Sequence, residues 1–176
     1  YRSSDLKRWE FLKRISTGQA FGYMWECPDY FRIRKYALLS VCPQGLGPEE
    51  YRYQNVYQSG YFTVTGILED APQLGEFREW DYGFDFYAPQ TMLHPDGRRI
   101  MIAWMHCPVR PSIGSLLGYG YACAQTFPRE LFVKDGNLHQ RPVREIENYY
   151  RPPVSVTHTS DGEAAFVPEL DVTCMN

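Results

Sequence analysis

One carboxylate has an unusual setting in the stretch Met24 to Phe31, which reads Met-Trp-Glu-Cys-Pro-Asp-Tyr-Phe. Glu26 stands between Trp25 and Cys27, two of the less polar neighbours a glutamate can have, and Pro28 follows. Burial against such neighbours disfavours the charged form of the acid. A carboxylic acid still protonated near neutral pH is what general acid catalysis requires. Pro28 lacks a backbone donor, so the run suits an edge or the end of a strand. The plain alternative is a surface glutamate beside a buried tryptophan, because perturbed carboxylates are a minority even in clefts.

Further motifs follow downstream. They are Asp81-Tyr82-Gly83-Phe84-Asp85-Phe86-Tyr87-Ala88-Pro89-Gln90-Thr91, then Gly97-Arg98-Arg99-Ile100-Met101-Ile102-Ala103-Trp104-Met105. Phe127-Pro128-Arg129-Glu130-Leu131 and Leu138-His139-Gln140-Arg141-Pro142-Val143 come after these. In this order and at this spacing, with the Glu26 stretch at their head, they closely resemble glycoside hydrolase family 32. Its members are β-fructofuranosidases such as invertases, sucrose-6-phosphate hydrolases, inulinases and levanases. The resemblance runs from Tyr1 to about Ile146.

That resemblance implies roles. The family's acid/base glutamate falls on Glu26. Asp81 falls where the family holds the sugar and the acid/base region, although a turn carboxylate is an equal reading. Tyr82 and Trp104 are candidates to stack on or hydrogen-bond the substrate, with core packing as the alternative for each. Cys27 is a candidate to pack beside the fructose ring. Tyr87 and Gln90 are expected to hold their strand, and Asp29, Arg129 and Glu130 to make structural hydrogen bonds and ion pairs. Retaining glycosidases need a second carboxyl group about 5 to 5.5 Å from the first. The family's nucleophile lies in a Trp-Met-Asn-Asp-Pro-Asn-Gly motif and its stabilising aspartate in an Arg-Asp-Pro motif. Neither motif occurs in these 176 residues. The implied protein is a fragment of a retaining enzyme acting on sucrose, sucrose 6-phosphate or short fructans. It carries one of the three catalytic groups, and the rest of the propeller or another chain would have to complete it. The rival is a non-catalytic propeller piece, either a sugar-binding module or a truncated product.

Composition narrows the partners. The 176 residues suffice for one core or one and a half domains, and 18 basic residues stand against 21 acidic ones. No basic stripe argues for nucleic acid. No apolar run approaches the roughly 20 residues of a membrane helix. The chain begins Tyr-Arg-Ser-Ser with neither Met nor a signal-peptide pattern, which reads as a piece of something longer. Five widely spaced cysteines (Cys27, Cys42, Cys107, Cys123 and Cys174) without Cys-x-x-Cys argue against a disulfide framework and a zinc site. Free thiols in a reducing, cytoplasmic setting are the expectation. His94, His106, His139 and His158 show neither metal-ligand nor triad spacing and read as structural or exposed, and the family resemblance implies no metal or organic cofactor.

The elements that must position these residues read as all-β. Leu6, Trp9 and Leu12 could mark a helix capped by Ser4, but the resemblance favours a turn there. Tyr36 to Val41 is a buried strand signal, and Tyr51 to Gly66 reads as two short strands. Glu69 to Glu79 is polar and reads as a loop. Asp96-Gly97 lies between the runs Phe84 to Ala88 and Ile100 to Met105, and Asp135-Gly136 between Glu130 to Val133 and Asn137 to Gln140. Both are hairpin signals. Pro142 to Tyr150 is the helix candidate, stopped by Pro152-Pro153. Short regular strands allow a sandwich, a barrel or a propeller, and no clean repeat chooses among them. The resemblance implies part of a five-bladed β-propeller, about blades three to five, over 1–141. A linker over 142–153 and the start of a β-sandwich over 154–176 would follow.

Overall fold

The computed structural model describes residues 1–83, 85–106 and 117–149. Phe84, Cys107, Tyr150, the Pro152-Pro153 pair and the expected sandwich segment 154–176 lie outside the described residues. Two antiparallel sheets make up the fold. The first is a meander of β1 (Met24–Ile33), β2 (Tyr36–Gln44), β3 (Gly60–Thr65) and β4 (Gln73–Glu79), paired in that order. The second pairs β5 (Tyr87–Leu93), β6 (Arg99–Met105), β8 (Arg129–Lys134) and β9 (Asn137–Pro142). The short β7 (Ala124–Gln125) pairs with the far end of β6. Between β7 and β8 the ladder is carried by Thr126: its N–H donates to Ala103 O, and its Oγ1 accepts from the Ala103 N–H.

Alternation along β2 explains why these sheets pack. All of Ala37 to Gln44 is buried, because both faces of the first sheet are covered. Leu38 joins Phe31, Tyr61, Trp80, Phe86, Met101, Ala103 and Leu131 in the core shared with the second sheet. Ala37, Leu39 and Val41 point the other way, against Tyr53, Phe62, Val64 and Phe77. Phe21 and Trp25 complete that second core from the N-terminal side. Buried polar atoms in the first core are satisfied, as where Trp80 Nε1 donates to Ser40 Oγ at 2.9 Å.

Several expectations change in detail. The segment Tyr51 to Gly66 forms one strand rather than two, with Tyr57 making only an isolated bridge to Gln44. Val56 is exposed, and Tyr53 packs into the second core from a loop rather than from a strand. The polar stretch Glu69 to Glu79 contains strand β4 instead of a loop. Its two apolar anchors, Leu74 and Phe77, are three apart because a bulge shifts the register opposite Phe62 to Val64. That bulge breaks the period of two by which a strand is read. The helix expected over 142–150 is a 3-10 helix over Arg144–Tyr149 with none of its own residues buried. The turn reading of the N-terminus holds, with Asp5 Oδ1 accepting from the N–H groups of Lys7 and Arg8. Both Asp-Gly hairpins form. Asp135 and Gly136 take φ of 51° and 78°. Two successive positive values are what a type I′ turn demands.

An ion-pair cluster fastens the β5–β6 turn to the 3-10 helix. Arg98 grips Glu145 with both terminal nitrogens, at 3.0 and 2.6 Å, and donates from Nε to Asp96 at 2.7 Å. The Arg98 hydrogen bond holds the Glu145 carboxyl down to about 2. Partial burial works to raise Asp96, but the Arg98 amide, the His94 ring and the Arg98 guanidinium outweigh it, so Asp96 is lowered. Both folded values lie below the unfolded ones. The stabilisation is therefore present above the unfolded carboxylate values and is lost as pH falls from about 4 toward 2. Glu145→Gln is expected to lower the thermal midpoint slightly at pH 6 and not at pH 2. The pair is exposed, so 1 M salt should shrink the difference. A gap that persisted at pH 2 would show that the cluster acts through packing.

Candidate active site

Glu26 lies near the start of β1, the edge strand of the first sheet, opposite Cys42. The side chains of Ser40, Cys42 and Gln44 share the β2 face that looks toward the second sheet, and Glu26 shares it with them. Trp25 is on the other face, stacked on Phe62 at 5.2 Å with its Nε1 donating to Phe21 O. The tryptophan next to Glu26 in sequence is therefore not the surface that half-buries it, because adjacent strand residues point to opposite faces. Glu26 is covered instead by groups from two other strands, β2 and β5. Gln44 Nε2 donates to Glu26 Oε2 at 2.8 Å, and Tyr87 Oη donates to the same oxygen at 2.6 Å. Among the described residues Glu26 Oε1 has no hydrogen-bond partner.

Two matching irregularities bring Tyr87 to Glu26. The β1–β2 register shifts between Glu26 and Asp29, and the β5–β6 register shifts between Tyr87 and Gln90. Each bulge holds a residue with positive φ immediately before a proline: Cys27 at 49° before Pro28, and Ala88 at 50° before Pro89. Such φ values are strained for side chains with a Cβ, and strain of this kind gathers at functional sites. The proline bears no N–H, so a bulge is where a strand tolerates it. Asp29 then ties the strands together, its Oδ2 accepting from both the N–H and the Oγ1 of Thr91. Gln90 Nε2 reaches Cys27 O at 3.3 Å, so it joins the two bulges as well as holding its own strand.

The site is sealed by neutral groups. Desolvation, and then its hydrogen bond to Glu26, raise the Tyr87 hydroxyl far above its ordinary value, so Tyr87 stays a donor. Desolvation pushes the Cys42 thiol up to about 12. The Cys27 thiol is raised by desolvation and then by the Glu26 charge, and it lies within hydrogen-bonding reach of Cys42. Cys27 and Cys42 are free thiols.

The remaining candidates are distributed around this centre. Trp104 sits directly opposite Tyr87 in the β5–β6 register, half-buried, with its ring 5.0 Å from that of His106. The Asp81 carboxylate has partners other than those of Glu26. It accepts from Gly83 N at 2.7 Å and from Arg129 at 2.7 Å. With Phe86, Met105, Phe127 and Arg129, Asp81 lines an open groove of about 700 Å³. Tyr82 is 77% exposed. Glu130 pairs with Arg141. Sequence alone marks Tyr87 as strand-holding and gives no sign of Gln44, yet these two hold the Glu26 carboxylate. Among the described residues no group of three or more His, Cys, Asp or Glu is gathered as a metal ion would require. No helix among them is long and apolar enough to cross a membrane.

Glu26 thus lies on an edge strand, held through one oxygen, where a four-stranded and a five-stranded antiparallel sheet meet. The sequence profile of the glycosyl hydrolases family 32 N-terminal domain matches residues 1–142, and the chain belongs to that family. Sucrose-6-phosphate hydrolase of Staphylococcus xylosus is 46% identical over 151 residues, covering 84% of this chain and 30% of that protein. Raffinose invertase of Escherichia coli is 44% identical over 154 residues, covering 86% of this chain and 32% of its own. The structure of the Bombyx mori family 32 beta-fructofuranosidase superposes with a TM-score of 0.79 at 35% identity, covering 88% of this chain and 33% of that one. The chain thus spans about a third of the length of these relatives.

Proposed function

We propose that this chain is the acid/base-bearing part of a retaining β-fructofuranosidase. Its 1–141 segment would form part of a five-bladed propeller, 142–153 the linker and 154–176 the start of a β-sandwich. Two consecutive antiparallel sheets, the first a four-stranded meander and the second four strands in chain order with the short β7 added to β6, have the shape of propeller blades and support the first assignment. The observation that carries the function is the one-sided grip on Glu26. Two donors occupy Oε2, so the proton of the neutral acid belongs on Oε1. In the first half-reaction Oε1 gives that proton to the glycosidic oxygen as the C–O bond breaks. The fructosyl group passes to an aspartate that, by the family pattern, another segment supplies. In the second half-reaction the Glu26 carboxylate takes a proton from water as water attacks the fructosyl–enzyme bond.

The substrate class is a terminal β-D-fructofuranoside: sucrose, sucrose 6-phosphate or a short fructan. Support comes from relatives named for sucrose 6-phosphate and raffinose, and from a mutant of the Bombyx mori enzyme in complex with sucrose. Cys27, Asp81, Tyr82 and Trp104 are assigned to the sugar. The exposure of Tyr82, the Trp104–Tyr87 pairing and the closeness of Cys27 to Glu26 favour this. The free thiols of Cys27 and Cys42 favour a reducing, cytoplasmic setting. The rival reading is a non-catalytic propeller piece, either a sugar-binding module or a truncated product.

The stereochemistry of the product tests the proposal. The complete enzyme, meaning this chain with the segments that supply both aspartates, should release β-fructofuranose first from sucrose, seen by proton NMR before mutarotation. The α-anomer appearing first would rule out double displacement. A folded, complete protein inert toward every fructoside would leave the binding-module reading standing.

A further inference from the structure

Gln44 is the least expected member of the Glu26 site. It is 7% exposed, at the end of β2, and its amide is used at both ends. Nε2 donates to Glu26 Oε2 at 2.8 Å and reaches Tyr87 Oη at 3.4 Å, while Oε1 accepts from Tyr23 Oη at 2.7 Å. Gln44, Tyr87 and Glu26 therefore close a small ring of hydrogen bonds, in which the Gln44 N–H supports the donor that Tyr87 offers to the carboxylate. A primary amide is nearly symmetric in shape, and only its partners decide which end faces where. Here that choice is made by Tyr23. Its backbone N–H donates to Gln44 O at 2.9 Å. Its ring lies against Gly45, which has φ of +84° and where any side chain would strike that ring.

We infer that Gln44, held in one orientation by Tyr23, is a positioning residue for the acid/base carboxylate: it pins Oε2 and reserves Oε1 for the transferred proton. The inference rests on the acid/base reading of Glu26. If the amide turned over, its oxygen would meet Oε2. That contact repels the carboxylate and welcomes a protonated Oε2, so the proton would move to the wrong oxygen. The Tyr23 hydroxyl prevents this from the solvent side, where its ring is 71% exposed.

Several titratable groups face the Glu26 carboxylate. Tyr87 faces it from β5, Cys27 from its own bulge, Cys42 from β2 and Tyr23 from the segment before β1, with the Tyr57 ring 6.0 Å from that of Tyr87. Desolvation is the leading cause that raises Tyr23, Cys27, Cys42 and Tyr87, so these four are neutral across about pH 5 to 8.

The experiment compares pH profiles of kcat/KM on sucrose for the complete enzyme and three variants, with thermal melts for folding. Gln44→Glu places a second carboxylate against Glu26, and like charges that close resist joint ionisation. Its basic limb should move up by about one pH unit or more. Gln44→Leu removes one donor and should move the limb up less. Tyr23→Phe keeps the ring and loses only the hydroxyl. Its kcat should fall about 2- to 10-fold, the worth of one hydrogen bond, with KM unchanged. A folded Gln44→Glu enzyme with a wild-type basic limb would overturn the inference. Should Gln44→Glu not fold, Tyr23→Phe decides, and wild-type kcat would overturn it. Because Glu26→Gln is assayed alongside, the two readings fail separately. An inactive Glu26→Gln with an unmoved Gln44→Glu limb sinks only the role of Gln44, whereas an active Glu26→Gln sinks both.

Discussion

Glu26→Gln should lower kcat on sucrose by about 100- to 10,000-fold, the usual worth of general acid/base catalysis. The site is built so that this substitution tests proton transfer and little else. Tyr87 and Gln44 both donate to Oε2. The glutamine carbonyl can take that place and accept from the same two donors, leaving the NH2 at the Oε1 position. Binding should therefore change much less than turnover. An aryl fructoside with a good leaving group needs little protonation, so its fructosyl–enzyme should still form in the variant and then persist because the base is gone. Azide attacks without a base and should restore turnover of that substrate. The basic limb of the wild-type pH profile should flatten as well. Hydrolysis of sucrose within a few-fold of wild type would return Glu26 to the role of an ordinary surface carboxylate.

How far the site could be read in the sequence depends on the range of each interaction. Local signals survived. Asp135-Gly136 demanded a turn of one type, and Pro28 demanded a strand edge or an irregularity; it sits at a bulge in an edge strand. Interactions set by the pairing of whole strands were not legible. Trp25 looked like the neighbour of Glu26 because it is adjacent in the chain, yet the pleat sends it to the opposite core. Gln44 and Tyr87 reach Glu26 from 18 and 61 residues away. Nothing in the spacing of these residues announces that meeting. Strand β4 escaped notice because its bulge places Leu74 and Phe77 three apart.

One signal for the site does lie in the sequence. Glu26-Cys27-Pro28 and Tyr87-Ala88-Pro89 are the same device at corresponding places in two successive sheets. Each has a functional side chain, then a residue with positive φ, then a proline at a register shift. The repeat spans three residues with two different side chains in front, so no search for sequence self-similarity would find it. Its geometry points the two leading side chains at one another, and that accounts for a tyrosine hydroxyl donating to the acid.

Phe62→Ala should have the largest effect on stability, because Phe62 holds the far side of the same strand. It is 2% exposed and touches three rings: Trp25 at 5.2 Å, Phe77 at 5.1 Å and Phe21 at 5.5 Å. Truncation removes the apolar contact and leaves a cavity that neighbours fixed by two sheet ladders cannot fill. The usual cost of such a change is about 3 to 5 kcal/mol. A domain with roughly 5 to 15 kcal/mol of total stability would lose a large share of it. Trp25 would lose its stacking partner, and with it the packing that fixes the start of β1, where Glu26 is the next residue. The variant should therefore show a lower urea midpoint and, in the surviving folded enzyme, a kcat loss smaller than that of Glu26→Gln. Ile67→Ala serves as the control, because Ile67 is 64% exposed. Losing a surface side chain of this kind should change stability by no more than about 0.5 kcal/mol. If Phe62→Ala cost no more than Ile67→Ala, the aromatic cluster would not be what anchors β1. The rigidity of the Glu26 site would then have to come from the Asp29–Thr91 tie and the hydrogen bonds of Gln44, Tyr87 and Gln90.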